Sequence, residues 1–229
     1  MGVGGILLIP ALVLLGGMPI HQASATALFS FLFTGLVGTW LFHRRGSIDW
    51  RMTVPVCVGA VVLSYVGAMA NSMVEARPLA LIIALLIFFA GAYILLAPRR
   101  GGENQHAYRD ATHSVLLLGV GAVSGFGSGL SGAGGPLFSV PLMLVLGFAP
   151  LATVGASQVL QIVAAVFGTV GNMQFGSIDF VTAAWVTVFE LGGVIVGARA
   201  AHVISIVALR RMAATLCVIV GVYMLMRSL

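Results

Sequence analysis

The chain has 229 residues, 60% of them hydrophobic and 7% charged, where a soluble domain carries about 25% charged residues. So few charges cannot clothe the outside of a water-soluble globule of this length, which excludes one. The formal charge of +5 comes from eleven arginines and no lysine; they stand between apolar runs as topology-setting loop charges, and no basic cluster on a soluble face supports a nucleic-acid partner.

In chain order, apolar segments are expected at 5–15, 20–42, 52–71, 79–97, 114–130, 136–146, 151–173, 180–202 and 207–226. A hydrocarbon core about 30 Å thick needs about 20 apolar residues per helical crossing. The stretches 20–42 and 79–97 hold no charge at all. The fold class is therefore an all-α polytopic membrane protein with eight to nine hydrophobic segments, its partner the lipid bilayer of the cell membrane. No cleavable signal pattern opens the chain, because Met1 is followed by glycines and a proline and not by a basic region. The segments 5–15 and 136–146 are too short to cross as straight helices. Each contains a proline, Pro10 or Pro141, and each follows a glycine-rich phrase, GVGG at 2–5 or GAGG at 132–135.

The phrase is one part of a longer repetition. Gly2, Gly4 and Gly5 match Gly132, Gly134 and Gly135. Pro10, Gly16 and Pro19 match Pro141, Gly147 and Pro150 after a one-residue shift, GSID recurs at 46–49 and 176–179, and Gly67-Ala68 matches Gly197-Ala198. The chain reads as two membrane repeats, 1–98 and 114–229, joined by a hydrophilic cytoplasmic linker at 99–113. If each half-length segment completes a crossing, the repeats are inverted. Arg44, Arg45, Arg51, Arg99, Arg100, Arg109, Arg199, Arg210 and Arg211 then fall at cytoplasmic ends, and only Arg77 and Arg227 outside; the positive-inside rule prefers this arrangement to parallel repeats. The span 114–130 precedes GAGG, and nothing here precedes GVGG, so symmetry predicts a further helix ahead of residue 2.

Two Gly-rich breaks opening half-helices are the strongest chemical signal. Non-helical backbone at membrane depth is tolerated only where it is buried in protein or lines a cavity. Freed N–H groups at a helix start, backed by the helix dipole, attract anions. The competing reading is close helix packing through small residues. Beyond each half-helix lies a polar-dotted span, with Ser24, Thr26, Ser30 and Thr34 in the first and Ser157, Gln158, Gln161 and Thr169 in the second. Thr26 corresponds to Ser157; Ser30 shares a face with Thr34, and Ser157 with Gln161. Their hydroxyl and amide donors suit an oxyanion, with interhelical hydrogen bonding as the alternative.

Glu190 lies mid-span, where an ionisable group is a functional candidate. It would carry a coupling proton or pair with Arg199. Asp49 and Asp179, each in GSID, are expected to cap the helix that follows. His21, beside Pro19, is expected as a satisfied interfacial histidine; the other histidines show no metal spacing. Trp40, Phe42 and Trp50 flank the Arg44-Arg45 loop as an aromatic belt. Cys57 and Cys217 sit in apolar spans and suggest neither a disulfide nor a metal site. No HExxH, GxSxG or P-loop pattern appears, so no metal, no cofactor and no enzymatic activity is expected.

The phrases GVGGILLIPALVLLGGMPIHQASATAL, HRRGSIDWR and GAGGPLFSVPLMLVLG resemble the TauE/SafE family of sulfite and organosulfonate exporters. The resemblance covers essentially the whole chain, duplication included. It implies a secondary carrier for small sulfur-containing anions, with Gly2, Gly4, Gly5 and Pro10 and Gly132, Gly134, Gly135 and Pro141 as the motif residues. Family members carry a full helix ahead of the first motif, and this sequence departs from them there. The function expected is export or uptake of a small anion at Gly-broken helices near mid-membrane. An assembly factor or sensor that keeps the fold without transport is the alternative, as is a passive anion channel.

Overall fold

The computed structural model describes residues 3–96, 111–200, 215 and 218–226. Their regular structure is entirely helical: α1 Val3–Leu14, α2 Ile20–Arg44, α3 Trp50–Met73, α4 Ala76–Leu96, α5 Ala111–Ser131, α6 Pro136–Val145, α7 Pro150–Phe175 and α8 Phe180–Ala200. Residues 218–226 are helical as well. Most of the linker at 99–113 and the start of the segment expected at 207–226 lie outside the described residues. Four stretches among those described are long and apolar enough to cross a bilayer: Ile20–Arg44, Trp50–Met73, Ser114–Ser131 and Leu151–Phe175. The two elements expected to be half-length, α1 and α6, have 12 and 10 residues.

The outer faces are what lipid requires. Val54, Val58 and Val62, one turn apart on α3, are each more than half exposed, and so are Val181, Trp185, Val188 and Phe189 on α8. In water such stripes would cost free energy in proportion to their area; among acyl chains they do not. The protein is a multi-pass membrane protein of the cell membrane.

Inside, one apolar cluster joins Ile9, Ile20, Ala23, Ala27 and Phe31 to Leu79, Ile83 and Ile87, tying α1 and α2 to α4. A second joins Met52, Val56 and Ala60 to Leu117, Val120, Met143, Ala156 and Leu160, tying α3 to α5, α6 and α7. The most extensive helix pairing is α3 on α5, followed by α3 on α7 and α2 on α7. Glycine permits the first of these. A Cβ on Gly121 would lie 1.9 Å from the Val56 carbonyl oxygen, one on Gly125 2.7 Å from the Ala60 Cα, and one on Gly129 2.1 Å from the Ser64 carbonyl oxygen. Gly59 and Gly67 approach the Leu118 and Phe126 carbonyls as closely from the other side. Two backbones lie against each other, the packing that small residues allow where water supplies no drive for association.

Gly121→Leu should therefore lower stability in detergent by about 1–3 kcal/mol, the usual cost of overpacking. Gly119→Leu is the control, because a Cβ there meets nothing within 4 Å. Equal thermal unfolding curves for the two variants would refute this account of the interface.

Both expected caps are made. Asp49 Oδ1 accepts from the Arg51 N–H at 3.0 Å, and Asp179 Oδ1 accepts from the Val181 and Thr182 N–H groups at 3.0 Å each. The Thr182 hydroxyl donates to Asp179 Oδ2 at 2.7 Å. That hydroxyl first, and the Thr182 amide second, hold the Asp179 carboxyl below its usual range. A carboxyl more acidic when folded stabilises the fold above the ordinary carboxylate range, and its contribution disappears as pH falls through the lowered folded value. The melting-temperature gap between wild type and Asp179→Asn should close on acidification. In the expected belt, the Arg44 guanidinium lies 4.7 Å from the centre of the Trp40 ring, and His43 meets Trp50 edge-to-face.

Candidate substrate site

Helix α5 ends where its sequence turns to glycine. The Gly132 N–H still closes the last turn on the Ser128 carbonyl at 2.8 Å, but Gly132 and Gly134 then adopt φ of 72° and 80°, a region that costs other residues strain. The Ser131 hydroxyl sits inside the turn, donating to the Gly127 carbonyl at 2.6 Å and accepting from the Ala133 N–H at 3.2 Å. Pro136 then opens α6 at the first helical position, where its missing N–H costs nothing. Residues 131–137 are all buried.

The turn is wedged between α2 and α7. A Cβ on Gly132 would come within 2.2 Å of the Ser24 carbonyl oxygen, one on Gly134 within 3.2 Å of the Phe31 ring, and one on Gly135 within 3.2 Å of the Gln161 backbone nitrogen. Among the described residues the N–H groups of Gly134 and Gly135 donate no hydrogen bond. Two buried donors at the start of α6 are thus unspent, where protein interiors leave very few so. In the other glycine-rich phrase, Gly4 and Gly5 form the first turn of α1 and Gly2 lies outside the described residues. Pro10 is buried within α1, and Pro141 is half-buried within α6.

The polar faces come together, but with a different use of their hydrogens. Gln161 Nε2 donates to the Phe31 carbonyl and to Thr34 Oγ1, both at 2.9 Å. Its two amide hydrogens are committed to α2, so only its carbonyl oxygen faces elsewhere; the expectation that Gln161 supplies donors to an oxyanion is corrected. Ser24, Ser30 and Ser157 donate back to the carbonyls of Ile20, Ala27 and Val154 at 2.8, 2.8 and 2.7 Å. They keep lone pairs and lose their donors, the local back-bonding short hydroxyls favour in helices, which corrects the same expectation for Ser30 and Ser157. Thr26, fully buried, accepts the Asp179 N–H at 3.2 Å and so ties α2 to the second GSID turn. Gln158 is the uncommitted amide: it is buried, lies against Gly38 and makes no hydrogen bond among the described residues.

Glu190 on α8 has a buried Oε2 with no partner among the described residues. The side chain of Arg199, its expected partner, lies outside the described residues. His21, expected to be satisfied, has a buried Nδ1 with no partner among the described residues. The residues sequence reasoning missed are Ser124 and Ser128, fully buried on α5 with hydroxyls that have no partner among the described residues. Their spacing of four, leading to Ser131 and the GAGG turn, was the available signal. The Thr169 hydroxyl, on the polar face already noted, likewise has no partner among the described residues. A cleft of 290 Å³ lined by Val13, Leu14, Ile20, Ala76, Arg77, Ala80 and Met224 shares no residue with this cluster. Among the described residues no group of His, Cys, Asp and Glu could hold a metal ion.

The family described as Sulfite exporter TauE/SafE matches residues 1–224. The chain is 31% identical over 215 residues to the Probable membrane transporter protein YdhB of Bacillus subtilis, covering 91% of this chain and 86% of that one. It is 27% identical over 161 residues to the Probable membrane transporter protein ORF9 of a Sinorhizobium species, covering 70% and 60%, and 21% identical over 202 residues to Bacillus subtilis YunE, also titled a probable membrane transporter, covering 79% and 74%. No solved structure matches. With the match running through nearly all of its length, the chain belongs to the TauE/SafE family.

Proposed function

We propose that this membrane transporter is a secondary carrier for a small oxyanion, a sulfite or sulfonate, working by alternating access at the 132–135 turn. The observation that carries the reading is the pair of unspent, buried Gly134 and Gly135 N–H groups at the start of α6, aligned with the helix dipole. The free hydroxyls of Ser124 and Ser128 and the Gln158 amide add donors without adding a buried charge. Neutral donors suit a carrier, which must release what it binds. The family name supports the substrate class. The two repeats, 1–98 and 114–229, supply the symmetry that alternating access uses in other duplicated carriers, with Gly2, Gly4, Gly5 and Pro10 as the counterpart of the second motif.

A second reading, an assembly factor or sensor without transport, is favoured by one observation: the Gln161 amide hydrogens are both spent on α2, as in a face packed dry. Purified protein in proteoliposomes separates the two. Saturable uptake of radiolabelled sulfite or methanesulfonate, competed by the other anion, is the expected result. Folded protein that moves neither anion above protein-free vesicles refutes the carrier.

A further inference from the structure

At the end of α5 one backbone carbonyl takes its donor from another helix. A helix leaves its last carbonyls without intrahelical partners, and the amides that follow along the chain are the nearest donors. Gly132 answers in the usual way: from a left-handed conformation, its N–H closes on the Ser128 carbonyl at 2.8 Å. Were α5 to run one turn further, the Ala133 N–H would go to the Gly129 carbonyl and the Gly134 N–H to the Leu130 carbonyl. Neither bond forms. The Ala133 N–H goes to Ser131 Oγ at 3.2 Å. The Leu130 carbonyl accepts instead from Asn71 Nδ2 on α3, at 2.6 Å.

Asn71 is buried, and its reach is set one turn earlier on the same face of α3. A Cβ on Gly67 would lie 2.2 Å from the Phe126 carbonyl oxygen and 3.0 Å from the Leu130 backbone nitrogen. That approach brings α3 close enough for the short asparagine arm to meet Leu130. Of the two ends of the side-chain amide, only the nitrogen can face a carbonyl, so its orientation follows from its partner.

We propose that Asn71 is a positioning residue for the anion site: by occupying the Leu130 carbonyl, it keeps the Gly134 N–H out of α5 and available to the substrate. Glycines enter helices reluctantly, at a cost comparable to the hydrogen bond that one more turn would gain. The occupant of the Leu130 carbonyl therefore decides between the two arrangements. With Asn71 in place, that carbonyl has its donor and the turn stays open. Without it the carbonyl is left unpaired, and the Gly134 N–H, four residues on, is the donor that a helix supplies. Asn71 acts through the backbone of α5 and not by contact with the anion. This inference rests on the carrier reading above and names what keeps one of its donors free.

The test uses the full 229-residue chain in proteoliposomes, with radiolabelled methanesulfonate as the probe. Asn71→Leu keeps the bulk of the side chain and removes its donor. The concentration for half-maximal flux should rise about tenfold, the scale of one hydrogen bond, with the maximal rate within about twofold of wild type. Asn71→Asp, which lacks the donor when ionised, should raise it at least as far, and it carries the test if the leucine variant does not fold. Ser72→Ala is the control: Ser72 is exposed, its hydroxyl donates to the Met69 carbonyl of its own helix, and its loss should leave flux unchanged. Hydrogen exchange of the 132–135 amides, followed by mass spectrometry without anion, gives a readout independent of flux. One of these amides should exchange more slowly in the variant than in wild type. An unchanged half-maximal concentration, a fall in maximal rate alone, or unchanged exchange of these amides each overturns the role of Asn71 while leaving the carrier intact. No flux by the folded wild-type protein overturns the carrier reading, and the positioning role with it.

Discussion

Gly132→Ala is expected to cut anion flux about a hundredfold, the scale of loss that a 1 Å misplacement of a working group produces. The added Cβ would meet the Ser24 carbonyl oxygen at 2.2 Å on a residue with φ of 72°. Backbone cannot step aside as a flexible side chain does, so both the turn and α2 must shift. Strain at the left-handed position and overpacking together cost about 2–5 kcal/mol. Flux measured on folded protein, with thermal unfolding alongside, checks both effects. The glycine requirement at this position fails if flux through Gly132→Ala equals wild type.

Gln161→Leu is the second large effect. It keeps bulk at the α2–α7 contact and removes the two donors that satisfy the Phe31 carbonyl and Thr34. The Phe31 carbonyl keeps the Thr34 hydroxyl at 3.2 Å, so the loss is that of two ordinary hydrogen bonds, about 1–3 kcal/mol together, and the same span of free energy lost from the transporting conformation lowers flux about tenfold or more. Gln161→Glu should be worse than Gln161→Leu, because its ionised carboxylate would face the Phe31 carbonyl with lone pairs opposed. Urea-free thermal melts and flux on both variants test the order. Glu tolerated better than Leu would mean that the Gln161 hydrogens point elsewhere.

Much of the architecture was legible because its causes are local. The bounds of α2 and α6 agree within two residues with the segments 20–42 and 136–146, since proline, glycine and charge mark where a membrane helix must stop. Asp49 and Asp179 were readable as caps because a cap needs only its own next three residues. The site was less legible, because the use of a hydroxyl or amide hydrogen depends on a partner distant in sequence. Gln161 bonds to a carbonyl 130 residues before it. Ser30 and Ser157 spend their hydrogens on their own helices while Ser124 and Ser128 keep theirs, though all four are serines in apolar helices. Glu190 was found by its rarity in a membrane span, and that its Oε2 is buried with no partner among the described residues could come only from the fold.

The glycine-lined contact of α3 with α5 has a mechanical consequence. Backbones that approach within the width of a missing methyl group interlock, and they cannot slide without separating first. Because α3 belongs to 1–98 and α5 to 114–229, the two stretches of chain that look like separate units along the sequence are bolted together where they meet. With α7 also packed on α3, these three helices form the chassis of the protein. In the proposed transport cycle the parts left to move are α2 with its neighbour α8, held to the chassis mainly by side chains apart from the close approach of Gly132 to Ser24, and α1 with α4. A disulfide across α3 and α5 should leave turnover unchanged, and one pinning α2 to α7 should stop it.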